Sequence, residues 1–311
     1  MSQPAILHVG VDVSKDTLVV CGPRAATIKT VRNLPSALHL WLAGLPAGTH
    51  LICEATGRYY HALQSACAAK SVPLTCLNPA KARYFAQSHG KLEKTDPIDA
   101  DILRRYGEER GPLPTVAPTQ LQRTLQDLLM IRSALVAQIS AERMRSALLC
   151  KEAAREMAGT VRALQTRLRS VEHCLEVWLE QPQAEPWRDK VHTLCLAVGV
   201  GVRSALMLVG SLPELGTCNR RQIVKLAGLA PLPWDSGLMQ GVRRIQGGRS
   251  AARQALYQCA VVAARWHEPT RLHYQQLRAR GKPPKLAYVA VARKLLIYLN
   301  SLLRPAHEQT S

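Results

Sequence analysis

The first apolar run, ILHVGVDV (6–13), constrains the fold most, because a carboxylate interrupts it. Its length and its Val, Ile and Leu content read as a buried strand. Asp12 falls at or near the end of that strand, two residues after Gly10. A carboxylate in such a run is costly unless it is paired or bound to metal. The strand is therefore expected to deliver Asp12 to a polar site.

The rest of the first hundred residues alternates in type. SKD (14–16) is a turn, TLVVCG (17–22) a returning strand and ATIKTV (26–31) a third strand. A helix is expected from Pro35 to Leu45, a strand at THLICEA (49–55) and a helix over 57–70. VPLTCLN (72–78) is a strand closed by Pro79; a short helix (81–88), a polar loop (89–95) and a helix over 96–109 follow. A three-strand meander followed by alternating helices and strands fits an α/β, RNase H-like domain, and a doubly wound fold fits its second half equally well.

Gly111, Pro112, Pro114 and Pro118 mark a boundary. Two long helical patterns follow. Leu121, Leu125, Leu128, Leu135, Ile139 and Leu149 form the first, broken at Arg132, Glu142 and Ser146. Val161, Leu164, Leu168, Val171, Leu175 and Trp178 form the second, without gaps. This spacing predicts a helical hairpin or a coiled-coil dimer seam. QPQAEPW (181–187) is a linker. Beyond it the chain reads as wholly helical, over about 188–196, 200–210, 219–229, 250–266 and 284–303. AVGVGVRSALMLVG (197–210) reads as the hairpin and second helix of a helix-hairpin-helix-like element, or as a Gly-rich packing turn. The expected divisions are 1–110, 111–187 and 188–311.

Charge narrows the partner. Forty-one Lys and Arg against 22 Asp and Glu give +19 over 311 residues. Residues 191–311 alone hold 17 basic and 4 acidic side chains. A charge of this size points to a polyanion, most often nucleic acid, and says nothing about fold. With 47% hydrophobic residues the chain is not a disordered one. No apolar run approaches the ~18–20 residues of a membrane span. Nine scattered cysteines lack C-x-x-C spacing, so neither zinc nor a disulfide framework is expected. The expected compartment is the reducing cytoplasm, and the N-terminus carries no signal-peptide pattern.

Three further acids join Asp12. Glu54 ends the strand LICEA, and Asp96 and Asp99 lie in KTDPIDA. Pro97 favours the first helical turn, which makes Asp96 a natural N-cap and puts Asp99 at N3. Alone, that pair reads equally well as a capping box. Jointly, a strand-end Asp, a strand-end Glu and a helix-borne pair can converge at one sheet edge. There Mg²⁺ would neutralise them, two ions clamping the oxygens of a phosphodiester.

Five segments carry a resemblance: GVDVSKDTL (10–18), CEATGRYYHAL (53–63), LNPAKARYFAQSHGKLEKTDPIDADIL (77–103), AGLAPLPWDSG (227–237) and RQALY (253–257). In this order, from about residue 6 to 300, they resemble the DEDD-type transposases of minimal insertion sequences. That family includes the Piv-type DNA invertase and bridge-RNA-guided recombinases. The resemblance implies a RuvC-like N-terminal domain, a coiled-coil middle and an all-α C-terminal transposase domain. It maps the family's four catalytic and metal-binding carboxylates onto Asp12, Glu54, Asp96 and Asp99, with Mg²⁺ as cofactor. It maps the nucleophilic serine onto Ser236 in WDSG, where the local sequence alone reads as a turn. It further implies donor and target DNA as partners, a guide RNA in part of the family, a homodimer or homotetramer, and a nucleoid-associated prokaryotic protein. The chain departs from many relatives at IQGGRSAARQALY (245–257), which lacks their Lys. Lys225, Arg243, Arg244, Arg249 and Arg253 remain as candidate nucleic-acid contacts. The competing expectation is a metal-dependent nuclease or Holliday-junction resolvase using water as nucleophile. A sugar or acyl kinase would need a second Gly-rich phosphate loop, and none is evident. A purely DNA-binding protein leaves the carboxylates unexplained.

Overall fold

The computed structural model describes residues 6–23, 27–91, 93, 95–232 and 244–304. Contacts divide the chain into two units between Pro118 and Thr119.

The first unit is a mixed α/β sheet with helices on both faces. Its elements are β1 (Leu7–Val13), β2 (Thr17–Cys21), β3 (Ile28–Arg32), α1 (Pro35–Ala43), β4 (Thr49–Glu54), α2 (Tyr60–Ala69), β5 (Leu74–Leu77), α3 (Pro79–Ser88) and α4 (Asp96–Arg110). The strand order is β3-β2-β1-β4-β5. The expected meander makes the antiparallel half, and β1, β4 and β5 run parallel. Alternation sorts the side chains. Val9, Val11, Leu51 and Cys53 pack with Leu38 and Leu42 of α1 and Leu63 and Cys67 of α2. On the opposite face Ile52 and Leu77 pack with Ala82 of α3 and Leu103 of α4.

Two glycines bring α4 onto that second face. A Cβ at Gly10 would collide with the Ala100 carbonyl oxygen, and one at Gly107 would stand 2.7 Å from the His8 ring. Because His8 meets Gly107 while Gly10 meets Ala100, α4 runs antiparallel to β1 and its first turn lies at the Asp12 end. Gly10→Ala is expected to destabilise the N-terminal unit by about 3 kcal/mol, the upper end of overpacking, since backbone cannot yield as a side chain can. The first thermal transition should fall by on the order of 10 °C; an unchanged midpoint would contradict this packing.

Residues 113–115 hold on to the edge of β5. Thr115 N–H donates to the Leu74 carbonyl at 2.8 Å, and its hydroxyl accepts from Cys76 N–H at 3.0 Å. Thr75 donates to the Leu113 carbonyl at 2.9 Å and bonds the buried His50 Nε2 at 2.9 Å. With the hydroxyl proton so used, His50 must donate from Nε2. Burial, then the neighbouring His8, lowers the His50 pKa and keeps it neutral.

The second unit is mostly helical: α5 (Gln120–Ser146), α6 (Lys151–Glu180), α7 (Glu185–Cys195), α8 (Val202–Ser211), α9 (Arg220–Leu226), β6 (Pro231–Leu232), β7 (Arg244–Ile245), α10 (Ser250–Trp266), α11 (Glu268–Ala279) and α12 (Pro284–Leu302). Thr119 and Gln122 form a capping box that starts α5. The two long helices pack on each other as a hairpin. The interruption at Arg132 is an ion pair: Glu172 of α6 binds Arg132 at 3.0 Å and Arg203 of α8 at 2.8 Å. Trp178 is buried and its indole N–H donates to the Leu121 carbonyl at 3.0 Å.

Four expectations change. Leu149 does not continue the first helical stripe, because α5 ends at Ser146 and Leu149 is exposed in the connection. The C-terminal part is not wholly helical, since β6 and β7 pair antiparallel. Helix α11 was not among the expected helices; its apolar residues are few, and Leu277 is the one it buries. The first turn of α4 closes one residue early, Asp99 N–H donating to the Thr95 carbonyl at 2.9 Å. Thr95 is thus the N-cap, Asp96 is N1 and Asp99 is N4.

Candidate active site

The polar end of the sheet assembles from three elements. Asp12 shares the α4 face of β1 with His8 and Gly10 by the strand's two-residue period. Glu54 shares the same face of β4 with Ile52. Since Val11 pairs with Cys53 in the parallel register, Asp12 and Glu54 follow one step later on neighbouring strands. The first turn of α4, bearing Asp96 and Asp99, reaches this end. Asp12, Glu54 and Asp99 are half-buried and Asp96 is exposed.

Glu54 and Asp99 line one cavity of about 380 Å³, together with Arg83 of α3, Lys91 and Glu93. Asp12 and Asp96 are not among its walls. Thr56 donates its hydroxyl to Glu54 Oε1 in a short hydrogen bond. Among the described residues, no three His, Cys, Asp or Glu side chains are gathered closely enough to hold a metal ion. The donors are all carboxylate oxygens on one edge, which suits a hard divalent cation in kind. Arg83 and Glu93 escaped notice in the sequence. The available signal was the helix start at Asn78-Pro79, where Asn78 Oδ1 accepts from Ala80 N–H at 2.9 Å and sets the phase of α3.

Asp101 follows the Asp96–Asp99 pair on a different face from Asp99, which by sequence reads as a solvated acid; it is instead ion-paired. It binds Arg104 at 2.6 Å and Arg105 at 2.8 Å, and Arg104 also binds Glu108 at 2.6 Å. Burial raises the Asp101 pKa, but the hydrogen bonds and charges of Arg104 and Arg105 outweigh it and hold the carboxyl below its usual range. Asp101 is thus committed to partners within α4.

Four of the nine cysteines serve as packing. Cys21, Cys53, Cys67 and Cys259 are buried and free. The Cys53 thiol hydrogen-bonds Cys76 Sγ at 3.7 Å, and that bond together with burial raises its pKa.

In the second unit Ser236 and Arg243 lie outside the described residues, on the segment 233–243 between β6 and β7. The flanks of that segment are firmly built. Gly228 and Gly248, at φ +66° and +68°, bring two backbones into direct contact. Arg253 donates to the Gly247 carbonyl at 2.7 Å. Arg249 forms a two-pronged pair with Glu214, one prong at 2.7 Å. Burial pushes the Glu214 carboxyl up, but Arg249 brings it below the usual carboxylate range. Arg249 and Arg253 therefore have intramolecular roles, while Lys225 of α9 and Arg244 of β7 are exposed.

Comparison with known proteins identifies the lineage. A family model described as a DEDD, IS110-type transposase matches residues 9–150. A second, described as a transposase of the IS116/IS110/IS902 family, matches residues 192–275. The DEDD designation suggests use of a divalent metal. The pilin gene-inverting protein of Moraxella bovis is 25% identical over 309 residues, covering 96% of this chain and 95% of the relative. Its Moraxella lacunata counterpart is 24% identical, with the same coverage. An uncharacterized 43.6 kDa protein of insertion element IS110 from Streptomyces coelicolor is 28% identical over 48% of this chain and 36% of the relative. Among the described residues no helix is long and apolar enough to cross a membrane. The two family models span most of the chain in the order expected of one protein, and the chain belongs to the IS116/IS110/IS902 family of transposases, enzymes of DNA recombination.

Proposed function

We propose that this transposase exchanges DNA strands through Ser236, with Asp12, Glu54, Asp96 and Asp99 holding Mg²⁺. The observation that carries the reading is the common sheet edge. β1, β4 and the first turn of α4 bring their acids to one end, where Glu54 and Asp99 already line one cavity. Mg²⁺ bound there would offset the charge of the phosphodiester and of the attacking oxygen. Ser236 Oγ forms a bond to phosphorus as the P–O bond of the strand breaks, and the freed DNA oxygen takes a proton. Attack by the hydroxyl of another strand then releases the serine. A serine hydroxyl is a weak nucleophile unless activated, so Ser236 must reach the carboxylates of its own chain or of a second copy.

The further parts of the reading rest on the family resemblance. Residues 1–110 form an RNase H-like, RuvC-like domain. Residues 111–187 form a coiled-coil hairpin that brings copies together as a dimer or tetramer, and 188–311 form the transposase domain. The turn before α8 acts as a helix-hairpin-helix-like element. Lys225, Arg243, Arg244, Arg249 and Arg253 mark the nucleic-acid side, and a guide RNA is among the partners. The work is done on the chromosome, in the cytoplasm.

The test is a covalent adduct. Protein incubated with DNA bearing the element's ends and Mg²⁺ is expected to yield a protein–DNA species that survives denaturation. Chelation should abolish it and added Mg²⁺ restore it. Cleavage without any such species would sink the serine mechanism.

A further inference from the structure

A second cavity lies in the helical unit, and neither β6 nor β7 lines it. It opens between the turn before α8, the start of α11 and one face of α12, and has a volume of about 300 Å³. The turn is pressed onto α10: a Cβ at Gly199, whose φ is +92°, would stand 2.7 Å from the Cys259 carbonyl oxygen. Leu196, in the same turn, lines the cavity and is 78% exposed. Val291 and Leu295 form the floor, and the ring of Tyr298, half-exposed, forms a wall.

Its one Lys or Arg among the described residues is Lys294. His273 and Lys294 line it, and no carboxylate does among the described residues. Arg280 stands close enough to act on His273. Burial, then the Lys294 and Arg280 charges, holds the His273 imidazole below its usual pKa. Lys294, with Arg280 nearby and no acid lining the cleft among the described residues, lacks the counter-charge that an anionic ligand would bring, and the neutral His273 can donate a hydrogen bond to it.

We propose that this cavity takes one unpaired nucleotide of a single strand, its base against Tyr298 and its phosphate at Lys294 and His273. The inference rests on the nucleic-acid reading above and adds a binding subsite to it. The size suits a nucleotide: about 300 Å³ is at the small end of ligand pockets and too small to take a duplex. An exposed aromatic ring in a basic setting is how proteins hold splayed-out bases of RNA or DNA. The +13 of residues 191–311 favours a polyanion over an apolar peptide.

The full-length protein is titrated with labelled single-stranded RNA, single-stranded DNA and duplex DNA of one sequence. Tyr298→Ala is expected to weaken single-strand binding about tenfold, the usual effect of losing one stacked base, and to leave duplex binding unchanged. Tyr298→Phe should bind as wild type, which separates stacking from misfolding. Lys294→Gln should lower the salt slope of single-strand binding by about 1. Loss in the RNA arm alone assigns the subsite to an RNA strand, loss in the DNA arm alone to melted DNA, and either supports it. Equal losses on single strands and duplex, or none in both Tyr298→Ala and Lys294→Gln, overturn the subsite while nucleic-acid binding stands. Failure of the wild-type protein to bind any of the three would overturn the broader reading as well.

Discussion

Ser236→Ala is expected to abolish the covalent protein–DNA adduct and reduce strand exchange by about 10⁴-fold or more, the scale seen when a nucleophile is removed from a catalytic unit. Alanine leaves no oxygen to bond phosphorus, so the strand-exchange route is closed at its first step. The same substitution separates the two chemistries that fit the carboxylates. A nuclease or resolvase that activates water would keep cutting DNA, because its nucleophile is not on the chain. Persistent cleavage at wild-type rate in Ser236→Ala would therefore transfer the assignment to hydrolysis. DNA affinity should stay near that of the wild type, since one hydroxyl contributes little beside many phosphate contacts.

Asp12→Asn is expected to lower strand exchange by about 10³-fold while leaving DNA binding intact. Asn keeps the shape of Asp but removes the charge that makes a carboxylate a strong ligand for a hard cation. Residues that merely support metal ligands cost about 10–100-fold when lost, so a direct ligand should cost more. Glu54→Gln should behave alike, because both acids stand at the ends of paired parallel strands on one face. Asp101→Asn serves as the contrast. Its carboxylate is committed to Arg104 and Arg105, so its loss should appear in thermal stability before catalysis. A Mg²⁺ titration makes the distinction: Asp12→Asn should shift the half-saturating concentration upward, and an unshifted curve with full activity would remove Asp12 from the site.

Much of the first unit was legible because strand and helix periods differ sharply. Each of its five strands was readable as a short apolar run between turn residues, and α1 announced itself through Pro35, whereas Pro79, read as the close of a strand, is the first residue of α3. The α4 boundary moved by one residue because a backbone bond, Asp99 N–H to the Thr95 carbonyl, set the first turn. Helix α11 was missed because its few apolar residues, although they share one face, are outnumbered by polar ones along EPTRLHYQQLRA. Asp101 was misjudged because its face was read without its partners, although Arg104 and Arg105 stand at the three- and four-residue spacings where helical side chains meet.

What the sequence determined by itself was identity of parts: which segments are strands, which acids interrupt or end them, where the basic excess lies and which family the motifs follow. Those are properties of local pattern and composition. Only the tertiary structure decided proximity. It set Glu54 beside Asp99, Arg83 and Lys91, left Asp96 exposed, tied Arg249 to Glu214, and opened a basic apolar cleft beside Tyr298. Such neighbours come from different strands and helices, and their meeting depends on packing distances such as the bare backbone contact at Gly10, where one missing Cβ lets α4 lie against the sheet.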